Sequence, residues 1–386
     1  MSTAVDFDEL HRRSFPAAHH ALAADAARGL SPLAFRLPDG RSYTFVPGDD
    51  RIDVVAGVDA ASTIVDLPLE DWERFALERW TRYGLLYHGR VTYAAGSFED
   101  LCDWEPVLRA LVDGRPLWSA ATVELPDDLA RVFTLDDDAA AGFLQQTGYL
   151  LLRGVFGEAE VRTLQDEVER LASESEKDDP TVWWTRSPDG DDLVCQVKYG
   201  ALRSSLLADL HDDPRVRRIL GFAGHEGLQP LLDRNEGTKI IYKRPGASEG
   251  LTDLPFHTDC GMGYHPISCP MVLIGVHLDA GTPETGQLHV LPGSHVTSAP
   301  DPAFADRSSW PIVALETRPG DCTVHISHTL HAAPPPTGQA RTGRRTFYLA
   351  FAPPSLFEAL APMEDLVAAM QGEDGITRTV DDVLPA

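Results

Sequence analysis

The spacing of apolar positions changes period along this chain, and those changes divide it. Residues 1 to about 30 are rich in Ala and His at helix-compatible spacing, and His19-His20, two ligand types with no third nearby, are expected to be surface groups rather than a metal site. From Leu33 to Val46 the pattern alternates around Pro38-Asp39-Gly40, which predicts a hairpin. Further strands are expected at Ile52 to Val55 and Thr63 to Asp66. A helix then carries Trp72, Phe75, Ala76, Trp80 and Tyr83 on one packed face. The run Gly89 to Gly96 predicts a strand, and Ser97-Phe98-Glu99-Asp100 opens another helix with a capping box.

Proline and charge interrupt the periodicity between Gly114 and Asp128, as in a linker. The expected division is a small α+β domain over 1–118, a linker over 119–133 and a second domain over 134–386. In that second part Phe143 to Phe156 reads as helix, Gly148 stop and buried strand, and Val161, Leu164, Val168 and Leu171 form a helical stripe. Residues 174–195 are polar and aperiodic, with Trp183 and Trp184 interspersed, so they predict either disorder or a functional lid. Short strands follow at Thr238 to Lys243, Met271 to Leu278 and Gln287 to Leu291, separated by Gly and Pro turns. They indicate an antiparallel barrel or sandwich of the double-stranded β-helix kind.

Length and composition constrain the partners. At 386 residues, 43% hydrophobic and 24% charged, the chain has material for about two domains. No apolar run is long enough to span a membrane, and a net charge of −26 repels phosphate backbones and anionic lipid, so neither nucleic acid nor membrane is an expected partner. The acidic start Met1 to Asp6 lacks a secretory pattern, which points to the cytoplasm. Cys102, Cys195, Cys260, Cys269 and Cys322 form no CxxC pair and are expected as free thiols. The oligomeric state is left open.

The chemistry concentrates in Pro255-Phe256-His257-Thr258-Asp259. Residues two apart on a strand share a face, so His257 and Asp259 would present an imidazole and a carboxylate together. His331 closes the apolar-rich run Cys322 to His331, expected as one strand, and can complete the set. Two His and one carboxylate on one side of a metal leave its other side open, which points to non-heme Fe(II) and oxygen chemistry rather than a closed structural zinc site.

Five segments in order carry a family resemblance: FLQQTGYLLLRGVFGEAEV, PFHTD, ETGQLHVLPGSH, PGDCTVHISHTLHAAPP and RTGRRTFYLAF. From about Thr134 to Pro354 the chain resembles the phytanoyl-CoA dioxygenase-like branch of the Fe(II)/2-oxoglutarate oxygenases. The resemblance implies a jelly-roll (cupin-like) double-stranded β-helix with flanking helices, so the whole chain is expected as α+β and mostly β. It implies His257, Asp259 and His331 as ligands of Fe(II), with 2-oxoglutarate and O2 as cosubstrates. His331 stands eleven residues after Gly320, the family spacing, whereas His325 and His328 precede it on the same expected strand, and His295 belongs to a structural turn. Arg344 matches the residue that anchors the far carboxylate of 2-oxoglutarate, and Lys243 would add a polar contact. The family's small hydroxyl residue two positions past the distal His is replaced by Ala333.

By the same resemblance the protein is expected to hydroxylate an unactivated carbon of a small organic molecule, releasing succinate and CO2. A specialised metabolite, an acyl derivative or an amino-acid-like compound would suit. Desaturation, epoxidation or ring closure use the same triad, while retention of Asp259 argues against halogenation. Tyr264 and His265 either face substrate or lie at the surface. The alternative is a noncatalytic metal-binding or sensor protein, or a lipid carrier, that keeps the barrel. The first 115 or so residues loosely resemble a sterol-carrier-protein-2-like module, which implies an apolar cavity or docking surface.

Overall fold

The computed structural model describes residues 5–247, 252–259, 270–337 and 343–357. In the N-terminal part, helices α1 (Phe7–Arg12) and α2 (Ala17–Ala26) precede strands β1 (Leu33–Arg36), β2 (Ser42–Pro47), β3 (Ile52–Ala56) and β4 (Thr63–Asp66). Helices α3 (Leu69–Ala76) and α4 (Arg82–Tyr87), strand β5 (Thr92–Ala95) and helix α5 (Phe98–Asp113) complete it. The sheet order is β3-β2-β1-β4-β5, with the expected β1–β2 hairpin at one turn and a parallel β1–β4 pair. Phe7, Phe45, Trp72, Phe75 and Trp104 fill its core. Helix α5 begins at the expected Ser97/Asp100 capping box and stops at left-handed Gly114.

The helix expected through Tyr83 breaks after Ala76. Glu78 adopts φ +54°, a left-handed conformation that a Cβ disfavours, and its carboxylate makes 2.7 Å contacts to both terminal nitrogens of Arg115 and lies 3.1 Å from Arg109. A buried ion cluster has overridden local helix preference, and Trp80 instead stacks on His88.

The linker is not free of the second part. Trp118 donates its backbone N–H to Ser298 O (2.8 Å) and its indole N–H to Pro292 O (2.9 Å). Helix α6 (Ala140–Thr147), strand β6 (Tyr149–Leu152) and helix α7 (Glu158–Ser173) follow as expected. Between α6 and β6, Gly148 has φ +86°, and a Cβ there would come within 2.6 Å of both His295 Nδ1 and Thr329 Oγ1, so only glycine admits this close approach.

The polar stretch 174–195 is ordered rather than disordered. Strands β7 (Val182–Arg186) and β8 (Asp192–Val197) form a hairpin at the edge of the large sheet. Within the stretch, Thr185 is buried and accepts from Thr252 Oγ1 (3.1 Å), and Trp183 is buried beneath the ammonium of Lys198, so polar character there does not mark a solvent-exposed loop.

Helices α8 (Gly200–Arg203), α9 (Ser205–Asp209) and α10 (Pro214–Phe222) lead to β9 (Gln229–Pro230), β10 (Lys239–Lys243), β11 (Leu254–His257), β12 (Val272–His277), β13 (Leu288–Val290), β14 (Val313–Leu315), β15 (Cys322–Ile326), β16 (His331–Ala333) and β17 (Arg344–Ala352). The large sheet runs β6-β15-β12-β17-β10-β8-β7, and the small sheet β11-β16-β13-β14. From β10 to β17 the chain crosses between the two sheets at nearly every step, the winding of a double-stranded β-helix.

The two faces of the large sheet differ. Tyr242, Ile274, Val276, Phe347, Leu349 and Phe351 belong to one hydrophobic core with Val161, Leu164, Val168 and Leu171 of α7. Each such side chain stabilises the sheet–helix packing by roughly 1.5–3 kcal/mol. The alternate residues Lys239, Lys243, Arg344, Thr346, His277, Thr323 and His325 face the small sheet, so the barrel interior is polar. Among the described residues no helix is long and apolar enough to cross a membrane. Cys102, Cys195 and Cys322 are buried and form no disulfide with one another, and Cys260 and Cys269 lie outside the described residues.

Candidate metal and cosubstrate site

His257 ends β11 directly opposite His331, the first residue of β16. Between the Leu254–Ala333 and His257–His331 pairs β11 carries one residue more than its partner, a bulge that re-aims its end. Asp259 lies beyond the strand. Its placement comes from its backbone N–H, which donates to Ser327 O at 3.0 Å, rather than from continued strand alternation. The run Cys322 to His331 is two strands in different sheets, with Thr329 N–H donating to Ile326 O (2.8 Å) in the turn between them. His325 therefore approaches His331 from across the barrel, with ring centroids 4.5 Å apart.

His257, Asp259 and His331 each contribute one ligand atom to a group whose members all lie within 4.8 Å of one another. His257 Nδ1 is 2.7 Å from Pro255 O and His331 Nδ1 is 2.8 Å from Thr329 O. A carbonyl can only accept, so each Nδ1 carries the hydrogen and each Nε2 keeps its lone pair. Burial lowers the pKa of both imidazoles, His331 furthest with His257 beside it, and both are neutral at pH 7. For Asp259 burial opposes charge, but Lys239 and the neighbouring His331 and His325 outweigh it and hold the carboxyl well below the usual range. Two neutral imidazole nitrogens and one carboxylate oxygen are a donor set that suits a divalent transition metal with open positions.

Two groups around Asp259 were missed in the sequence. His325 Nε2 is 2.8 Å from Asp259 Oδ2, and Lys239 Nζ is 2.9 Å from Oδ1. Alternation held the signal for both. Thr323 and His325 share one face of β15, and Lys239 and Lys243 share one face of β10.

Arg344 points into the barrel, 3% exposed, as its register beside Thr346 and Tyr348 requires. Its Nη1 donates to Thr346 Oγ1 (3.1 Å), while its Nε is buried without a hydrogen-bond partner. No carboxylate pairs with it among the described residues. Burial pushes its pKa down from the usual 12.5, the signature of a cation without its counter-ion. His277 lies alongside, fully buried, with Nδ1 3.1 Å from Thr317 Oγ1 and Nε2 3.0 Å from Thr323 Oγ1.

Lys243 has a different task from the one expected. Its ammonium reaches the carbonyls of Thr252 (2.5 Å), Ala333 (2.7 Å) and Pro334 (2.8 Å), which accounts for all three hydrogens. It ties the loop after β10 to the end of β16 and has no donor left for a cosubstrate. His295 is structural as expected, with Nε2 3.0 Å from Gln145 O. Tyr264 and His265 lie outside the described residues.

The family model described as Phytanoyl-CoA dioxygenase (PhyH) matches residues 144–345. The chain belongs to this family. Solved structures with a similar fold include EctD from S. alaskensis with bound Fe, at 21% identity over 62% of this chain and 84% of that one, with TM-score 0.48. AviO1 from Streptomyces viridochromogenes Tue57 follows at 22% identity, 57% and 97% coverage and TM-score 0.44. The non-heme alpha ketoglutarate dependent epimerase SnoN from nogalamycin biosynthesis has 22% identity, 56% and 80% coverage and TM-score 0.43. No curated protein matches the sequence. The family's matched segment ends at Arg345, so it takes in both halves of the candidate site: the His257, Asp259, His331 cluster and Arg344.

Proposed function

We propose that the protein is an Fe(II)/2-oxoglutarate-dependent dioxygenase that hydroxylates an unactivated carbon of a small organic molecule. The observation that carries this reading is the pair of imidazoles whose Nδ1–H groups are tied to carbonyls, so that both Nε2 lone pairs converge with Asp259 on one point. Iron with 2-oxoglutarate and O2 supplies oxidation of a C–H bond coupled to release of CO2 and succinate. His257, Asp259 and His331 would hold the iron. Arg344 would take the far carboxylate of 2-oxoglutarate through a planar two-nitrogen fork. That anion would compensate the buried guanidinium, and Thr346 would orient it from the side.

The polar inner wall and the apolar outer wall assign separate tasks. The outer wall packs the helices, while the inner wall excludes bulk water from a region lined by hydroxyl, imidazole and cationic groups. Small-molecule chemistry inside the barrel fits this division better than carriage of a lipid, which needs an apolar interior.

The test is Fe(II) stoichiometry and succinate release on the purified chain. One Fe(II) per chain, lost in His257→Ala, and 2-oxoglutarate-dependent succinate formation are expected, and Asp259→Gly loses hydroxylation. Unchanged iron binding in His257→Ala would sink the ligand assignment. Iron binding without succinate formation on any candidate substrate would favour a sensor that kept the barrel.

A further inference from the structure

Beside the candidate metal ligands runs a chain of buried charges that the reading above does not use. Lys239 Nζ lies 2.9 Å from Asp259 Oδ1 and 3.0 Å from Glu236 Oε2. Glu236 Oε1 in turn lies 3.2 Å from Lys198 Nζ and 3.0 Å from Gln196 Nε2. Glu236 is thus a second carboxylate one ammonium away from the first. Both are kept ionised. Burial opposes the charge of Glu236, but Lys239 and Lys198 outweigh it and lower its pKa to about 2.

The backbone around Glu236 is unusual. Asn235 (φ +52°) and Gly237 (φ +59°) flank it in the left-handed region, and Tyr199 (φ +55°), whose N–H donates to Glu236 O at 3.0 Å, is left-handed too. A Cβ on Gly237 would come within 2.6 Å of Leu232 O. Non-glycine residues held in this region are strained and persist where the surroundings impose them, often at functional sites. The strain here fixes where Glu236 stands.

The two oxygens of Asp259 are differently occupied. Oδ2 lies 2.8 Å from His325 Nε2 and 3.8 Å from His331 Nε2, on the side of the ligand cluster, whereas Oδ1 is turned to Lys239. We infer that Lys239 is a positioning residue: held by Glu236 on one side and occupying Asp259 Oδ1 on the other, it keeps Asp259 a one-oxygen metal ligand, leaving the open positions to the cosubstrate. This rests on the metal reading above. Without the ammonium, the second Asp259 oxygen would be left unpaired beside the divalent cation, while Glu236 would keep Lys198 and Gln196 as its partners. That freed oxygen would compete for a position that 2-oxoglutarate needs.

A merely structural lysine makes the opposite prediction about metal affinity, since loosening the site would weaken binding. Co(II), whose visible absorption reports coordination number, serves as the probe on the full chain, with 2-oxoglutarate titrated separately by calorimetry. Lys239→Met keeps the apolar stem and removes the charge. It is expected to bind Co(II) about tenfold more tightly with changed visible absorption, and to bind 2-oxoglutarate at least tenfold more weakly, while Lys239→Arg restores both. Should Lys239→Met not fold, Lys239→Gln is read for the same directions. Wild-type or weaker Co(II) affinity with unchanged absorption in the folded neutral variant overturns the inference. Failure of the unaltered chain to bind Co(II) would instead overturn the metal reading itself, so the two failures are distinct.

Discussion

Lys243 and Arg344 stand directly opposite each other on antiparallel strands, two buried cations facing one interior, yet their donors go to different places. Lys243 is saturated by three carbonyls, whereas Arg344 keeps a buried Nε with no partner. Like charges so close destabilise one another. Burial first and then Arg344 lower the pKa of Lys243 well below 10.5. An anion bound at Arg344, as proposed above for one carboxylate of 2-oxoglutarate, would relieve both residues.

The neighbouring arginines separate this role from simple charge. Arg345 points to the other face, where its Nε and Nη2 lie 2.7 and 2.8 Å from the two oxygens of Asp279. Arg344→Ala is expected to raise the apparent KM for 2-oxoglutarate about tenfold to a hundredfold, the effect of losing a charge-assisted fork of ~1.5–3 kcal/mol. Arg345→Ala should leave that KM within a few-fold and lower thermal stability instead. Steady-state titration of 2-oxoglutarate against both variants checks this, and a larger KM change at Arg345 would reverse the assignment.

Lys243 should behave as a structural tie. Lys243→Met leaves three carbonyls without a donor, at a cost of about 2 kcal/mol or more. A fall in Tm of roughly 4–8 °C is expected by calorimetry. The KM for 2-oxoglutarate of the folded variant should change little, and a variant with unaltered Tm but a raised KM would return Lys243 to the cosubstrate.

Much of this was legible because local and tertiary signals agreed. The hairpin at Pro38-Asp39-Gly40, the Ser97 capping box and the helix–Gly148–strand unit each follow from nearest-neighbour chemistry, and the structure keeps them. The break at Glu78 was hidden because its cause, the pairing with Arg109 and Arg115, lies about thirty residues away. The split between β15 and β16 was hidden because the turn Ser327 to Leu330 contains no Gly or Pro. It is held by long-range bonds instead, Ser327 N–H to Met271 O (2.9 Å) and Leu330 N–H to Ser294 Oγ (2.8 Å). His325 was set aside as a neighbour of His331 in sequence, and that split is what brings it to Asp259.

Glu78 also gives a pH signature. Burial alone would raise its pKa, but Arg109 and Arg115 outweigh it and bring it from 4.5 to about 2. A carboxyl with a lower pKa folded than unfolded contributes stability above the unfolded value and loses it on acidification. Between pH 4.5 and about 2 the Tm should therefore fall more steeply in the unaltered chain than in Glu78→Gln, whose residue does not titrate. Parallel curves for the two proteins would show that this cluster does not set acid stability.

The last prediction concerns the junction between the two parts, where Arg82 of α4 pairs with Glu105 of α5 and with Asp301 of the catalytic half. Tyr83 adds a hydroxyl at 2.9 Å from Asp301 Oδ1, and Asp301 has no exposed side-chain surface. Arg82→Met would strand the buried Asp301 carboxylate without a cation and leave Glu105 with Arg109 alone, and breaking a buried pair in this way typically costs about 3–5 kcal/mol. A fragment from Gly114 onward loses the same arginine, but water then reaches Asp301 and solvates it. We propose that the second domain begins upstream of Trp118, since that side chain is buried against Pro292 O. A fragment starting at Ala120 would lose this anchor, whereas one starting at Gly114 keeps it. The point variant is therefore expected to lower the Tm of the catalytic half more than removal of residues 1–113 does, and Arg82→Met combined with Asp301→Asn should recover part of the loss. Calorimetry of the three proteins, with Co(II) binding as the measure of an intact site, decides. An insoluble Gly114 fragment would mean that the two halves share one core.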